Sequence, residues 1–425
     1  MLYLQPVKES MKRREIEIMA PAGSYESLIA ARQGGADSVY FGVENLNMRA
    51  ASSNNFTLKD LRRIASFCRK HGLRSYLTLN VVVFDEEIKQ MKKIVDAAVR
   101  NGITAIIASD QSVINYAAAK GIEIHLSTQL NITNIDTIKF YAQWADTTVL
   151  ARELDLNQVK KIAKEIRKQK IIGPKGELIK LEIFAHGALC MAISGKCFLS
   201  LHEYGKSANR GECYQICRRK YVVTDSETGY EIGIDNEYIM SPKDLCTIGF
   251  LDKIVDAGVR VLKIEGRARS AEYVKVVTTC YDEAVKALAD GTYNEKKIEE
   301  WTERLATVFN RGFWDGYYLG QKMGEWTNRY GSGATKKKLY IGKVTNYFTK
   351  KKVVEIKLEN GDLSPGETIL ITGPSTGMIE YNVKELRGED FKVTEKALKG
   401  TSCSFLIEDY LRRSDKVFKW IDSER

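Results

Sequence analysis

The sequence predicts an α/β fold: a TIM-like (β/α)8 barrel with a cysteine-rich insertion, followed by a small all-β C-terminal domain. Three observations predict it. Between residues 15 and 330, eight short β-rich runs alternate with helical segments, which is typical of a parallel sheet with crossover helices. Residues 188–247, between the last two runs, hold five cysteines. From Tyr340 onward, apolar and polar residues alternate as they do in antiparallel strands.

The predicted strands recur at intervals along the barrel segment. They cover residues 17–22, 38–42, 74–80, 105–109, 123–129, 148–154, 181–187 and 261–267. Helical segments between them, such as 58–72 and 87–102, carry apolar residues at three-to-four spacing and end at glycine. Eight strand and helix repeats favour a closed barrel, in which chemistry takes place where the strands end in loops.

The remaining segments set the domain boundaries. Residues 271–330 are predicted to be mostly helical, and GSGAT (331–335) is predicted to be a hinge. We therefore place the barrel with its trailing helices at 15–330 and a small β-barrel or sandwich at 340–425. Within the insertion, residues 238–245 are a candidate further strand, which would make the barrel irregular.

Composition limits the location and the partners. No run of about twenty apolar residues occurs, and the first residues lack the pattern of a secretory signal, so we expect a cytoplasmic protein without a membrane segment. Basic residues number 65 and acidic residues 55, which gives a net charge of +10. This excess favours a polyanionic partner such as nucleic acid, although a solvated basic surface would also account for it.

Polar residues at the predicted strand ends are candidates for catalysis or substrate binding. Each of them could instead cap a helix or pair with a neighbour. The candidate catalytic residues are His125, Gln129, Arg152, Glu153, His186, Glu265 and Arg267. Arg49 and the run CRRKY (217–221) are further candidates for contacts with a base or with phosphates.

The clustered cysteines predict a metal or redox site, because disulfides are disfavoured in a reducing cytoplasm. They are spaced as Cys190-x6-Cys197-x15-Cys213-x3-Cys217, with Cys246 after a longer gap. Four thiolates gathered from loops suit a 4Fe-4S cluster. Zinc is an alternative, although the first pair is wider than in a zinc knuckle, and inert buried cysteines are another.

Hydrolysis is an alternative function. A cysteine nucleophile could use His186, which lies four residues before Cys190. The chain contains no HExxH zinc motif. A non-catalytic RNA-binding module would explain the charge and the β domain but not the cysteines.

Several motifs resemble those of peptidase family U-32, the collagenase-like family. The longest is EIFAHGALCMAISGKCFLS (182–200). The others are MAPAG (19–23), ANRGECYQICRR (208–219), MSPKDLC (240–246), LKIEGRARS (262–270) and FNRGF (309–313). Together they span most of the predicted barrel, and the overall length is closest to the branch that makes 5-hydroxyuridine in tRNA.

The resemblance implies an iron–sulfur enzyme that hydroxylates RNA. Its implied substrate is the wobble uridine in the anticodon loop of tRNA, with a ribosomal RNA cytidine, a ubiquinone precursor or a peptide as alternatives. It implies prephenate as a possible co-substrate and electron-transfer or cluster-delivery proteins as possible partners. It also implies that Cys190, Cys197 and Cys213 bind a 4Fe-4S cluster, with Cys217 or Cys246 as the fourth ligand.

Overall fold

The computed structural model describes residues 12–51, 55–232, 238–322 and 324–423. It confirms the TIM-like barrel. The first seven strands are β1 (Glu17–Pro21), β2 (Ser38–Gly42), β3 (Arg74–Leu79), β4 (Ala105–Ala108), β5 (Glu123–Leu126), β6 (Thr147–Val149) and β7 (Lys180–Ala188). Each of the first six pairs in parallel with the next strand along the chain.

The insertion contributes three short strands before the barrel closes. They are β8 (Val223–Thr224), β9 (Glu231–Ile232) and β10 (Asp244–Cys246). The eighth barrel strand, β11 (Val261–Ile264), pairs in parallel with β1 and with β7 and so closes the ring. β10 lies outside this ring, because it pairs antiparallel with the last residues of β7. The further strand predicted at 238–245 is therefore short, and the eight parallel strands form a complete ring without it.

Helices surround the barrel. They are α1 (Tyr25–Gln33), α2 (Leu61–Lys70), α3 (Ile88–Asn101), α4 (Gln111–Ala119), α5 (Ile135–Tyr141), α6 (Leu156–Lys168), α7 (Leu199–Tyr204), α8 (Leu251–Asp256), α9 (Ala271–Ala289) and α10 (Glu295–Ala306). Ser24, Asn134 and Asp155 cap α1, α5 and α6 by accepting hydrogen bonds from backbone N–H groups of the first turn. None of the described helices combines the length and the apolar character needed to cross a bilayer.

Several sequence-based boundaries differ from the structure. The region predicted to be mostly helical, 271–330, contains α9 and α10, but the residues after Ala306 form turns and the short strand β12 (Phe313–Trp314), and glycines 312, 316 and 320 there adopt positive φ angles that a helix does not accommodate. Strands β5, β6 and β11 end at Leu126, Val149 and Ile264, so residues 127–129, 150–154 and 265–267 are loops. These loops lie at the carboxyl ends of the strands, which is the face where TIM barrels carry their chemistry.

The C-terminal domain is one six-stranded antiparallel sheet with its own apolar core. Its strands are β13 (Lys336–Phe348), β14 (Val353–Leu358), β15 (Thr368–Gly373), β16 (Gly377–Asn382), β17 (Ser402–Leu406) and β18 (Lys416–Asp422). Two register shifts interrupt β13, one in its pairing with each neighbour. Such bulges bend a strand, and the long β13 pairs with β14 on one side and with β18 on the other.

The sheet packs against α1 and α9 of the barrel. Leu370, Met378 and Trp420 belong to the apolar core of the barrel rather than to that of the sheet. The side chain of Gln33 donates to the carbonyl oxygen of Thr376 at 3.0 Å and accepts from the N–H of Met378 at 3.0 Å. The interface therefore combines apolar burial with directional hydrogen bonds, which holds the sheet beside the mouth of the barrel.

A buried charge network fills the barrel interior. The Nζ atom of Lys263 lies 2.8 Å from Oε1 of Glu182, and Nδ1 of His125 lies 3.1 Å from Oε2 of the same carboxylate. Burial raises the pKa of Glu182, but Lys263 and His125 outweigh this effect and lower it. Burial likewise opposes protonation of His125, yet its hydrogen bonds to Glu123 and Glu182 raise its pKa. Glu182 is therefore ionised and depends on both neighbours.

Replacing Lys263 with Met should leave this buried carboxylate undercompensated. We expect the free energy of unfolding to fall by about 3 kcal/mol, which is typical when one partner of a buried ion pair is removed. Urea denaturation at neutral pH measures it. Lys350→Met, which changes an exposed turn residue in the same way, should alter stability by less than about 0.5 kcal/mol. Equal stabilities of the two variants would contradict a structural role for the Lys263–Glu182 pair.

Candidate active site

A cavity of about 180 Å³ lies at the carboxyl end of the barrel, between the strand loops and the insertion. The loops after β2, β5, β6 and β11 contribute Arg49, Gln129, Arg152 and Glu265 to its wall. Segments of the insertion between residues 188 and 218 form most of the remaining wall. The cavity thus occupies the position at which TIM-barrel enzymes bind their substrates.

Four of the five clustered cysteines line this cavity. They are Cys190, Cys197, Cys213 and Cys217. Cys190 is exposed and the other three are half-buried. Each lies in a loop or a short turn of the insertion, next to α7 or the end of β7, and none is held within a barrel strand. We refer to this space as the cysteine cavity.

A close backbone approach positions the segment that carries Cys213. Gly211 has a φ of +82°, and a Cβ atom there would lie 2.2 Å from the carbonyl oxygen of Asn47. The carbonyl oxygen of Gly211 accepts a hydrogen bond from the N–H of Ala51. Any side chain at Gly211 would force the insertion away from the loop after β2, so glycine is required for the cavity to form.

Cys246 lies apart from the other four. It is 7% exposed in β10, directly across from His186 of β7, and it does not line the cysteine cavity. Burial raises its pKa to about 12. Burial also raises the pKa of Cys217 to about 11, although Arg218 opposes this shift. The geometry therefore divides the five cysteines into a group of four and a single buried thiol.

The four thiols surround the cavity without converging on one point. Among the described residues, no three Cys, His, Asp or Glu side chains are close enough together to bind a single metal ion. Four thiols around one cavity match the ligand number of a 4Fe-4S cluster, in which each thiolate binds a different iron.

An ion pair forms the wall opposite the insertion. Nε and a terminal nitrogen of Arg49 donate to Oε1 of Glu265 at 3.1 and 2.5 Å, and the hydroxyl of Tyr40 donates to Oε2 at 3.3 Å. Burial raises the pKa of Glu265, but Arg49, Arg152 and Arg267 outweigh it and lower the pKa to about 2. Glu265 is therefore a carboxylate at neutral pH.

Aromatic rings and carbonyl groups hold two further arginines. The guanidinium of Arg152 lies 3.9 Å from the ring centre of Phe184 and donates to the carbonyl oxygen of Ala188 at 3.0 Å. Nε of Arg152 is buried and has no hydrogen-bond partner among the described residues. The guanidinium of Arg269 lies 3.4 Å from the ring centre of Phe309. Within the part of the chain that the structure describes, neither guanidinium forms an ion pair with a carboxylate, so both can contact a ligand.

The charges of the wall are strongly unbalanced. Among the described residues that line the cavity, Glu265 is the one acidic residue. The basic residues of the lining are Arg49, Arg152, Arg218, Arg269 and Arg311. Such a wall attracts an anionic occupant, either a cluster bound by four thiolates or a substrate with carboxylate or phosphate groups.

The structure brings together three of the seven candidate catalytic residues. Gln129, Arg152 and Glu265 line the cysteine cavity. Arg267 lies close by but donates to Asn47 and Thr78, each at 2.9 Å, beside the barrel mouth.

The other three candidates lie elsewhere. His125 is in the buried charge network, and Glu153 is exposed in a turn. His186 packs among Tyr273, Tyr281 and Phe313, where burial lowers its pKa to about 3.

Sequence reasoning did not single out Arg269 and Arg311. Both lie within quoted motifs, EGRARS and FNRGF, which are distant in the chain. The ring of Phe309 joins them, because Arg269 and Arg311 lie 3.4 and 5.0 Å from its centre. The signal that could have identified them in the sequence is the presence of an arginine in each of two loop motifs.

Arg218 ties the two ends of the insertion together, so its loss should loosen the cavity. It donates to the carbonyl oxygens of Leu189, at 2.7 Å, and Pro242, and to the hydroxyl of Ser241 at 3.0 Å. We expect Arg218→Leu to lower the free energy of unfolding by about 2 kcal/mol. Amide hydrogen exchange near residues 189 and 242 should accelerate.

The neighbouring Arg219 provides a matched control. It pairs with Glu203 at 2.6 Å on the surface, with about half of its side chain exposed. Arg219→Leu should change stability by less than about 1 kcal/mol and leave exchange near residues 189 and 242 unaltered. The same exchange pattern in both variants would refute the structural role assigned to Arg218.

Comparisons with known proteins agree with the motifs. A "Collagenase" of Porphyromonas gingivalis is 57% identical over 96% of this chain and 99% of its own length. The tRNA hydroxylation protein P1 of Bacillus subtilis is 29% identical over 88% and 87%, and tRNA hydroxylation protein P of Helicobacter pylori is 32% identical over 71% of each chain. The model of "Peptidase family U32" matches residues 23–328. The chain belongs to peptidase family U32.

Proposed function

We propose that this protein is an iron–sulfur enzyme that hydroxylates RNA, and that its substrate is the wobble uridine of tRNA, converted to 5-hydroxyuridine. The observation that carries the proposal is the cysteine cavity itself, in which four thiols and five arginines meet at the catalytic end of a barrel. Two relatives bear names of tRNA hydroxylation proteins, which supports RNA as the substrate class.

A redox cofactor is needed, because protein side chains cannot supply the electrons or activated oxygen that ring hydroxylation requires. Cys190, Cys197, Cys213 and Cys217 would hold a 4Fe-4S cluster, which would supply electron transfer at this position. The arginines of the wall would offset the negative charge of four thiolates, and the half-buried position of three thiols would limit access by water.

The insertion offers aromatic surfaces to a single-stranded base. Phe198 is 72% exposed and Tyr214 is 53% exposed, and both are adjacent in sequence to cavity cysteines. The rings of Tyr204 and Tyr214 lie 5.2 Å apart. Proteins that recognise loops of RNA stack splayed bases on such rings. An anticodon loop could thus present one base to the cavity while its neighbours stack outside.

The arginines also suit a small anionic co-substrate. Prephenate, which the family resemblance implies, carries two carboxylates, and arginine binds carboxylates in bidentate geometry. Arg152 has a buried Nε without a partner in the described part of the chain. We therefore assign Arg152 as a binding residue for a carboxylate of the co-substrate.

Peptide hydrolysis is the second candidate, favoured by the "Collagenase" name of the P. gingivalis relative. A cysteine peptidase needs a base beside its thiol. His186 lies four residues before Cys190 in the sequence, but it is buried in the barrel wall among aromatic rings. Its pKa of about 3 makes it a weak base. The position of His186 therefore supports the cluster enzyme over a thiol peptidase.

Metal analysis tests the cofactor. Protein purified without oxygen should contain close to four iron and four sulfide per chain and absorb broadly in the visible range. Changing Cys190, Cys197, Cys213 or Cys217 to serine should remove the cluster, since a hydroxyl is a poor ligand for it. Cys246→Ser is the control and should keep the cluster. One equivalent of zinc without iron, or cluster loss in Cys246→Ser alone, would contradict this assignment.

Nucleoside analysis tests the reaction. Transfer RNA from a strain that lacks the protein should contain no 5-hydroxyuridine by mass spectrometry, and the wild-type gene should restore it. Cys217→Ser should fail to restore it, and Cys246→Ser should succeed. An unchanged amount of hydroxyuridine in the deletion strain would favour ribosomal RNA or a quinone precursor as the substrate instead. Peptide cleavage that survives loss of the four cavity cysteines would favour the peptidase.

A further inference from the structure

A second cavity, of about 920 Å³, separates the barrel from the C-terminal sheet. One wall consists of the loops after β1 and β11, and the other consists of β13, β15, β18 and the turn before β18. We call this space the interdomain cleft. Ala268 and Arg269 line both the cleft and the cysteine cavity. The two spaces are therefore adjacent, on either side of the loop that follows β11.

Two acidic side chains of the cleft, those of Glu272 and Asp415, are buried and have partners within the protein. Glu272 is 7% exposed and receives Lys338 at 2.9 Å. Asp415 is 2% exposed, accepts hydrogen bonds from the hydroxyl of Thr376 and the N–H of Arg412, and has its pKa raised by burial. Both carboxylates are therefore buried and hold partners within the protein, so little of either is exposed to a ligand in the cleft.

The C-terminal domain contributes two exposed cations to the cleft. Arg413 and Lys416 are exposed, and neither forms an ion pair with any residue that the structure describes. Lys416 lies on β18, where it is paired with Thr372 of β15, and Arg413 lies in the turn just before. Glu26, half-buried at the start of α1, is the remaining acidic residue of the lining. Arg413 and Lys416 are therefore the exposed cations that the C-terminal domain adds to a cleft that Arg267 and Arg269 of the barrel also line.

We propose that the interdomain cleft binds the phosphate backbone of the RNA substrate, with Arg413 and Lys416 as the contacts. This rests on the proposed function, because the cleft leads to the cavity in which the base would react. Arginine and lysine are the usual phosphate contacts, and such contacts fix the register of a nucleic acid without reading its sequence. A backbone held in the cleft positions the extruded base next to Arg269, at the entrance of the cysteine cavity.

Salt-dependent binding of tRNA tests this role. The probe is total tRNA from a strain that lacks the protein, bound to the anaerobically purified full-length chain. The variant R413Q/K416Q should bind on the order of tenfold more weakly than wild type at about 0.1 M salt. The slope of log affinity against log salt should decrease by about 1.4 to 1.8, because two phosphate contacts are lost.

The matched control is K350Q/K351Q, which removes the same charge from an exposed turn of the same domain outside the cleft. It should retain both the affinity and the slope of wild type, and both double variants should retain iron and visible absorption. Equal binding by the two double variants, or no tRNA binding by wild type, would overturn the cleft as the RNA site. Competition by polyglutamate as effective as that by tRNA would replace RNA with an acidic protein and would also overturn it.

The outcomes separate this inference from the proposed function. If tRNA binding depends on Arg413 and Lys416 while hydroxyuridine is unchanged in the deletion strain, the cleft is retained as an RNA site and the uridine hydroxylation is rejected. If hydroxyuridine is lost in the deletion strain but R413Q/K416Q restores it and binds as the control does, the reaction is retained and the cleft is rejected.

Discussion

The antiparallel pairing of β10 with the end of β7 determines where the insertion lies, and the cysteine cavity depends on it. Asp244, Leu245 and Cys246 pair with Ala188, Gly187 and His186, so the insertion leaves and re-enters the barrel at one place. Closing a long loop carries an entropic cost that grows only slowly with its length, so a short ladder supported by Arg218 suffices to anchor many residues. The cysteines can then lie in irregular turns and still face one cavity.

The wall of the cavity carries an excess of positive charge. Of its five arginines, Arg49 pairs with Glu265 and Arg311 pairs with Asp244, which leaves three without an ion pair among the described residues. Contacts with aromatic rings and carbonyl oxygens stabilise Arg152 and Arg269 without neutralising them. The same wall that would offset four thiolates can also orient carboxylates or phosphates. One electrostatic feature thus serves the cofactor, the co-substrate and the RNA in the proposed function.

The barrel was predictable from sequence because its signals are local: apolar periodicity, β-rich runs and glycine at helix ends within each repeat. The ends of β5, β6 and β11 could not be predicted. The residues just after each strand continue its sequence pattern for a few positions although they lie outside the strand. The separation of Cys246 from Cys217 was equally out of reach, because it results from the pairing of β10 with β7, a non-local contact. His125 and His186 look alike in sequence, and only packing shows that each lies outside the cavity.

The motifs MAPAG and EGRARS, which are far apart in the chain, contact each other at the loop after β11. A Cβ atom at Gly23 would lie 1.8 Å from the carbonyl oxygen of Arg267, so the glycine of MAPAG makes room for the arginine-rich loop EGRARS. That loop carries Glu265 and Arg269 into the cysteine cavity, while its other side forms a wall of the interdomain cleft. The cleft and the cavity therefore share one short backbone segment, and Glu265 at its start is paired with Arg49. Close packing against Gly23 limits where this segment can lie.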